Sequence, residues 1–226
     1  MSTSRANIIC LLMITAVIVL TVILYPGLPE QIPTHWNFEG QVDGYMPKPW
    51  GVIVLPLAAL FSFAVMRLVP VISPKGFRTD KFIDVINIFT VAIVGFMSGV
   101  ALLVLLEAAG LNVRINQMIY AGLGLLFIVL GMYMGKVGKN FFIGIRTPWT
   151  LASDEVWNRT HRVAGKVLVA VGLVFLLSAF VRISPAIVIA AVVVLILVPV
   201  VYSFVIYRRL EGFGPDDKNS DGDVDR

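Results

Sequence analysis

The sequence predicts an all-α integral membrane protein with six transmembrane helices and both termini in the cytoplasm. Hydrophobic residues make up 58% of the 226 residues and charged residues only 14%, which is far from the averages for soluble domains. Six stretches approach the length of about 20 apolar residues that crosses a bilayer. If successive stretches cross the membrane in opposite directions, fifteen of the eighteen lysines and arginines lie on one side. The positive-inside rule expects such an excess on the cytoplasmic face.

The six predicted spans are Ala6–Tyr25, Val52–Ile72, Ile86–Leu106, Met118–Gly135, Val167–Val181 and Pro185–Tyr207. The first lacks a small-residue cleavage site after it, so we expect a retained helix and not a signal peptide. The fifth is the shortest, and Lys166 and Arg182 extend it by snorkelling to the interfaces. Only Lys48, Arg114 and Arg182 remain on the outer side. The net charge of +4 therefore reflects topology, and we expect no direct nucleic-acid partner.

These spans divide the chain into four predicted segments. Residues 1–72 form an N-terminal unit of helix, outer loop and helix, and residues 73–116 hold a linking third helix with its flanks. Residues 117–207 form a C-terminal unit, and residues 208–226 form a disordered acidic tail.

The outer loop, Pro26–Gly51, is rich in proline and aromatic residues, and its prolines limit backbone freedom. The candidate ligand contacts in this loop are His35, Trp36, Asp43 and Lys48. A metal site formed by His35, Glu39 and Asp43 is a weaker alternative, since zinc usually requires three or four well-placed ligands. A hydrogen-bonded interfacial loop is favoured, and no metal or cofactor is expected.

The inner loop, Lys136–Gly165, concentrates polar and aromatic residues in an otherwise apolar chain. Thr150 or Ser153 is suited to cap a helix that continues through Arg162 into the fifth span. On this helix Asp154, Trp157, Asn158 and His161 share one face. The loop is interpreted as a polar lock on the helix ends or as a docking surface for a cytoplasmic protein. An enzyme that uses Asp154 and His161 is disfavoured, because no nucleophile elbow or oxyanion signature accompanies them.

Glycine pairs mark two of the spans, Gly95–Gly99 and Gly131–Gly135. Small residues four apart allow helices to approach closely. Packing inside the bundle is favoured over homo-oligomer formation, which stays open.

The tail contains the start of a calcium-loop pattern at Asp217, Asn219 and Asp221. An EF-hand loop needs a bidentate glutamate at position twelve, and the sequence stops at Arg226 before that position. A solvated acidic tail is therefore favoured over calcium binding.

Two motifs resemble those of a known family. The run from Asn140 to Thr150, followed by Asp154, Trp157, Asn158, His161 and Arg162, is similar to the signature of the SdpI family of membrane proteins. The outer run Pro33–Asn37, with Gly40, Asp43, Gly44 and Lys48, is similar to an uncharacterised domain often found N-terminal to it.

The resemblance implies a six-helix membrane protein of the toxin-immunity type. Such a protein recognises an extracytoplasmic antimicrobial peptide, and it protects the cell, sequesters a cytoplasmic ArsR-type autorepressor at the membrane, or does both. The outer contacts would meet the peptide. The inner residues implied as lock or docking site are Asn140, Arg146, Thr147, Trp149, Asp154, Trp157, His161 and Arg162. A small transporter or efflux component is the alternative function, and a membrane-embedded enzyme is the third.

Overall fold

A computed structural model describes residues 1–37, 39–77, 79–181 and 183–213. Within these residues the chain forms seven α-helices and one two-stranded sheet. The elements are α1 (Thr3–Leu24), β1 (Gln31–Trp36), β2 (Val42–Pro47), α2 (Lys48–Ile72), α3 (Ile83–Ala108), α4 (Ile115–Met134), α5 (Pro148–Ala152), α6 (Asp154–Ser178) and α7 (Pro185–Leu210). The calcium-loop pattern at Asp217, Asn219 and Asp221 lies outside the described residues, as does the predicted tail beyond residue 213.

Six of the helices, all but the five-residue α5, are long and apolar enough to cross a membrane. This confirms the predicted all-α class with six spans, and the protein is a multi-pass protein of the cell membrane. The fifth predicted span began at Val167, whereas α6 begins at Asp154, where the sequence predicted a capped helix that continues into this span. Ser153 caps the helix by accepting a hydrogen bond from the Val156 N–H. The polar segment of the inner loop is thus the start of the spanning helix.

A β-hairpin connects α1 to α2, and the sequence did not predict it. Strands β1 and β2 pair antiparallel, with irregular register around His35. The Asn37 carboxamide oxygen shapes the turn by accepting the N–H groups of Glu39 and Gln41, each at 3.0 Å. Ile32 is fully buried against Gly51, where a Cβ atom would lie 2.6 Å from the Ile32 Cβ. The hairpin is therefore fixed on the start of α2.

Glycines set the contact between α4 and α6. A Cβ atom on Gly131 would lie 2.6 Å from the Gly165 carbonyl oxygen, and one on Gly124 would lie 2.7 Å from the Gly172 carbonyl oxygen. Such distances exclude any side chain, so the two backbones pack directly against each other. Gly131 therefore serves packing within the chain, as the favoured interpretation expected. Gly99, by contrast, has nothing within 4 Å of its Cβ position.

The bundle has two ends that carry the sequence motifs, and α4 connects them. We call them the hairpin end, where α4 begins beside the hairpin, and the motif end, where α4 runs into residues 135–153. We call residues 135–153 the motif loop. The Asn116 side-chain amide donates to the Asn37 carbonyl at 2.8 Å and ties α4 to the hairpin. At the motif end a core of buried residues surrounds Trp157 and includes Phe82, Ile86 and Val137.

Candidate functional sites at the two ends of the bundle

Asn140 organises the first half of the motif loop. Its side chain is fully buried, and its amide nitrogen donates to the carbonyls of Gly138 and Ile143 at 2.8 and 2.9 Å. Its carboxamide oxygen accepts the N–H groups of Phe142 and Ile143, both at 2.7 Å. One side chain therefore satisfies four backbone groups of a segment that has no regular secondary structure, where unpaired groups would be costly.

Trp157 and His161 hold the motif loop to α6. Both side chains are 0% exposed, and their rings stack with centroids 4.0 Å apart. The Trp157 indole N–H donates to the Val137 carbonyl at 2.8 Å. His161 Nε2 accepts the Ile145 N–H at 3.0 Å, and Nδ1 lies 2.8 Å from the Trp157 carbonyl. These partners define a neutral imidazole with its proton on Nδ1, because Nε2 must keep a lone pair for Ile145.

Gly144 makes the approach of the loop to His161 feasible. Its φ of +116° is rare for residues with a side chain, and a Cβ atom there would overlap His161 Nε2. Gly144 appeared in the sequence motif without a role. Its partner is seventeen residues away, so no local pattern could reveal that the glycine leaves room for an imidazole.

Helix α5 fastens the second half of the loop to α7. Thr147 and Thr150 form a reciprocal capping box, in which each side chain accepts the other's backbone N–H at 3.2 and 2.9 Å. The Thr147 hydroxyl also bonds to the Ser203 hydroxyl of α7 at 3.0 Å. Trp149 packs edge-to-face on Phe204, with centroids 5.1 Å apart. The sequence analysis did not select Ser203.

The charged residues of the predicted inner site lie on the surface of the motif end. Asp154 forms an ion pair with Lys139, and Arg146 donates to the Phe141 carbonyl. Arg162 donates to the Asn158 carbonyl at 3.4 Å. The predicted shared face thus divides, because Trp157 and His161 point into the protein while Asp154 and Asn158 are exposed. Burial favours the polar lock for the two rings, and the surface that a partner can reach consists of the charged side chains together with exposed neighbours such as Phe141.

At the hairpin end, a cavity of about 820 Å³ lies between the hairpin, α2, α3 and α4. His35, Trp36 and Asp43 line it together with Asn116, and the imidazole of His35 is paired with the Asp43 carboxylate. Apolar residues of the spans also line the cavity, including Leu55, Val100, Val104 and Ile119. The structure therefore unites three of the four predicted outer contacts at one concave surface.

Lys48 does not join this surface. It is 8% exposed, and its ammonium group donates to the Leu28 carbonyl at 2.7 Å and lies 4.9 Å from the Tyr25 ring centre. The prediction of a peptide contact at Lys48 does not fit this geometry, because the charge is used to connect the end of α1 to the start of α2. In the described part of the chain, no group of three or more His, Cys, Asp or Glu residues could hold a metal ion.

This architecture defines a multi-pass membrane protein with an amphipathic cavity at one end of the bundle and a hydrogen-bonded loop at the other. Two family models match the two motif-bearing parts of the chain. The SdpI/YfhL protein family matches residues 136–203, and the domain of unknown function DUF1648 matches residues 12–60. The chain is thus similar to the SdpI/YfhL family in its C-terminal part and to DUF1648 on the N-terminal side, and the predicted resemblance is confirmed.

One relative extends this similarity over nearly the whole chain. Immunity protein SdpI from Bacillus subtilis (strain 168) is 28% identical over 210 residues, which cover 92% of this chain and 99% of the relative. No solved structure matches the chain at a significant level.

Proposed function

We propose that this chain is an SdpI-like membrane immunity protein and receptor. It recognises an antimicrobial peptide outside the cytoplasm and protects the cell, sequesters a cytoplasmic autorepressor, or does both. The observation that carries the proposal is the similarity to an immunity protein over almost the full length of both chains. This similarity spans the hairpin end and the motif end alike, so it includes both candidate sites.

The orientation assigns a role to each end. The excess of lysine and arginine around the motif loop favours a cytoplasmic position for that end, and the proposal therefore has the hairpin end facing outward. A peptide would meet the cavity beneath the hairpin, where His35, Trp36 and Asp43 are gathered. A repressor of the ArsR type would meet the exposed rim of the motif end, which Arg146, Asp154 and Arg162 supply.

The state of His161 supports a receptor more than an enzyme. Both of its ring nitrogens bond to backbone groups, and the ring is fully buried. A general base needs a free lone pair within reach of the proton that it abstracts. His161 therefore acts as a structural element that holds the motif loop on α6.

The immunity role is tested by survival. The chain is produced with a fluorescent C-terminal tag in a peptide-sensitive bacterium. The cells are exposed to the toxin that the Bacillus subtilis protein counters and, separately, to the secreted peptide encoded nearest to the gene of this chain. We expect survival to rise with the amount of tagged protein in the membrane. Equal killing with and without the protein, at matched membrane levels, would contradict the proposal.

The signalling role needs a separate measurement. A labelled ArsR-type repressor encoded beside the gene should move from the cytoplasm to the membrane after peptide addition. Charge reversal at Asp154, which is exposed and leaves the buried rings untouched, should reduce this movement without lowering protein level. If the Asp154→Lys variant recruits the repressor as the parent does, the exposed rim is not the docking surface.

A further inference from the structure

The cavity at the hairpin end has the size and walls of a ligand site. Its volume of about 820 Å³ lies within the range of roughly 300–1,000 Å³ that is usual for small-molecule and cofactor pockets. The walls combine apolar side chains from three spanning helices, among them Leu55 of α2, Val104 of α3 and Ile119 of α4. An apolar group that enters between the hairpin and the helices would therefore find a lining of matching chemistry.

The charge of the rim restricts the ligand further. Among the described residues that line the cavity, Asp43 is the one carboxylate, and His35 is the one residue able to carry positive charge. The side chains of Asp43 and His35 are 45% and 72% exposed, so an incoming group can reach both. The nearby cation, Lys48, is turned away toward the Leu28 carbonyl. Because Asp43 is the one carboxylate among these lining residues, the cavity entrance favours a cationic group over an anionic one.

We infer that this cavity takes the apolar segment of a cationic amphipathic peptide, with a basic group of the peptide beside Asp43. The apolar segment occupies the space between α2, α3 and α4, and the basic group stays in the hydrated rim. This inference rests on the proposed function for the source of the ligand. The charge preference and the apolar fit rest on the cavity itself, so they can be measured without any assay of immunity.

The test uses the full chain in phosphatidylcholine nanodiscs and two dansyl-labelled peptides. Both peptides carry the same Leu-Leu-Phe-Leu segment, and one ends in lysine amide while the other ends in glutamate. Fluorescence titration gives each Kd after subtraction of empty nanodiscs. We expect the lysine peptide to bind about tenfold more tightly, a difference of about 1.4 kcal/mol.

Two variants test whether Asp43 causes this preference. Asp43→Asn should abolish it. Glu39→Gln removes an exposed carboxylate of the same hairpin that lies outside the cavity, and it should preserve the preference.

Substitutions that fill the cavity provide a second test of the inference. Ile119→Trp should weaken both peptides at least tenfold by occupying the apolar space. Leu125→Trp, on the same helix at a residue that is 60% exposed, should leave both Kd values unchanged. Thermal melting of each variant shows whether it is folded, and Val100→Trp fills the cavity from α3 if Ile119→Trp does not fold.

Each outcome separates this inference from the proposed function. Equal binding of the two peptides, or unchanged binding after cavity filling, would overturn the inference while leaving immunity to the survival assay. An unlabelled fatty acid that displaces both dansyl peptides equally would assign the cavity to membrane lipid and would also overturn the inference. The two tests can also disagree. Charge-dependent binding in nanodiscs that Ile119→Trp abolishes would support the inference, and a lack of protection in the survival assay would then contradict only the immunity role.

Discussion

Substitution of Gly144 by alanine is expected to separate the motif loop from His161 of α6 and to destabilise the protein. Alanine at a φ of +116° incurs the penalty of left-handed backbone, roughly 1–2 kcal/mol. The new Cβ atom also overlaps His161 Nε2, so the ring and the loop must separate. The 3.0 Å bond from the Ile145 N–H is then lost, which costs about 1–3 kcal/mol when the donor stays away from water. The free energy of unfolding should fall by about 2–5 kcal/mol in total.

Gly110 offers a matched control for the backbone part of this penalty. Its φ is +85°, and nothing lies within 4 Å of its Cβ position, so Gly110→Ala should cost only about 1–2 kcal/mol. His161→Ala offers a second control, because it removes the overlapping ring. In that background Gly144→Ala should cost no more than Gly110→Ala does, since the two remaining penalties have the same origin.

The assay is unfolding of the purified full chain by sodium dodecyl sulfate in mixed micelles, followed by tryptophan fluorescence. Tryptic cleavage after Arg146, an exposed residue of the loop, reports the local opening separately. Gly144→Ala should accelerate this cleavage, and Gly110→Ala should not. The reasoning is refuted if the two glycine variants lose equal stability, or if the cost at Gly144 is the same with and without the His161 ring.

Three further predictions concern the motif end and the helix seam. Trp157→Phe keeps a ring for stacking but removes the donor to the Val137 carbonyl, so the unfolding free energy should fall by about 1–2 kcal/mol in the same titration; no change would show that this bond is not needed. Gly131→Val should separate α4 from α6 and lower stability by about 1–3 kcal/mol, whereas Gly99→Val, with open space around it, should be near neutral in thermal melting. Asn140→Ala leaves four backbone groups without their partner and should speed tryptic cleavage of the loop, and unchanged cleavage would show that the loop holds its shape without this side chain.

The membrane architecture was predictable because it depends on local composition. Apolar length determines each span, and Ser153 before an acidic first turn is a local signal for a helix start. This cap predicted a helix that runs into the fifth span. The span itself was predicted to begin only at Val167, because a hydropathy window registers the apolar part of the helix and not its amphipathic first turns.

The hairpin and the burial of Lys48 were not predictable in the same way. Strand β1 contains Pro33, and its register is irregular around His35, so the sequence lacks the clean alternation that identifies a strand. Lys48 stands at the start of a span, where charged residues normally reach water. Its partner is the carbonyl of Leu28, twenty residues earlier, and only the folded hairpin brings the two together.

The sequence also could not predict whether a given face of α6 contacts solvent or another segment of the chain. Spacing placed Trp157 and His161 on one face of α6, but the same periodicity describes a face toward solvent or toward another segment. The structure turns that face toward the motif loop, because the loop supplies two backbone groups that match the two rings. Polar and aromatic residues that looked suited to an external partner are thus satisfied inside the chain.

The connections of the motif loop have a consequence for how the protein is made. Translation delivers the loop before α6, so the Ile145 N–H and the Val137 carbonyl first emerge without their final partners. These partners, His161 and Trp157, follow within about the first two turns of α6 and on the same side of the bilayer. The loop can therefore close as soon as α6 starts to insert beside α4, and no polar group of this site has to be carried through lipid to find its bond.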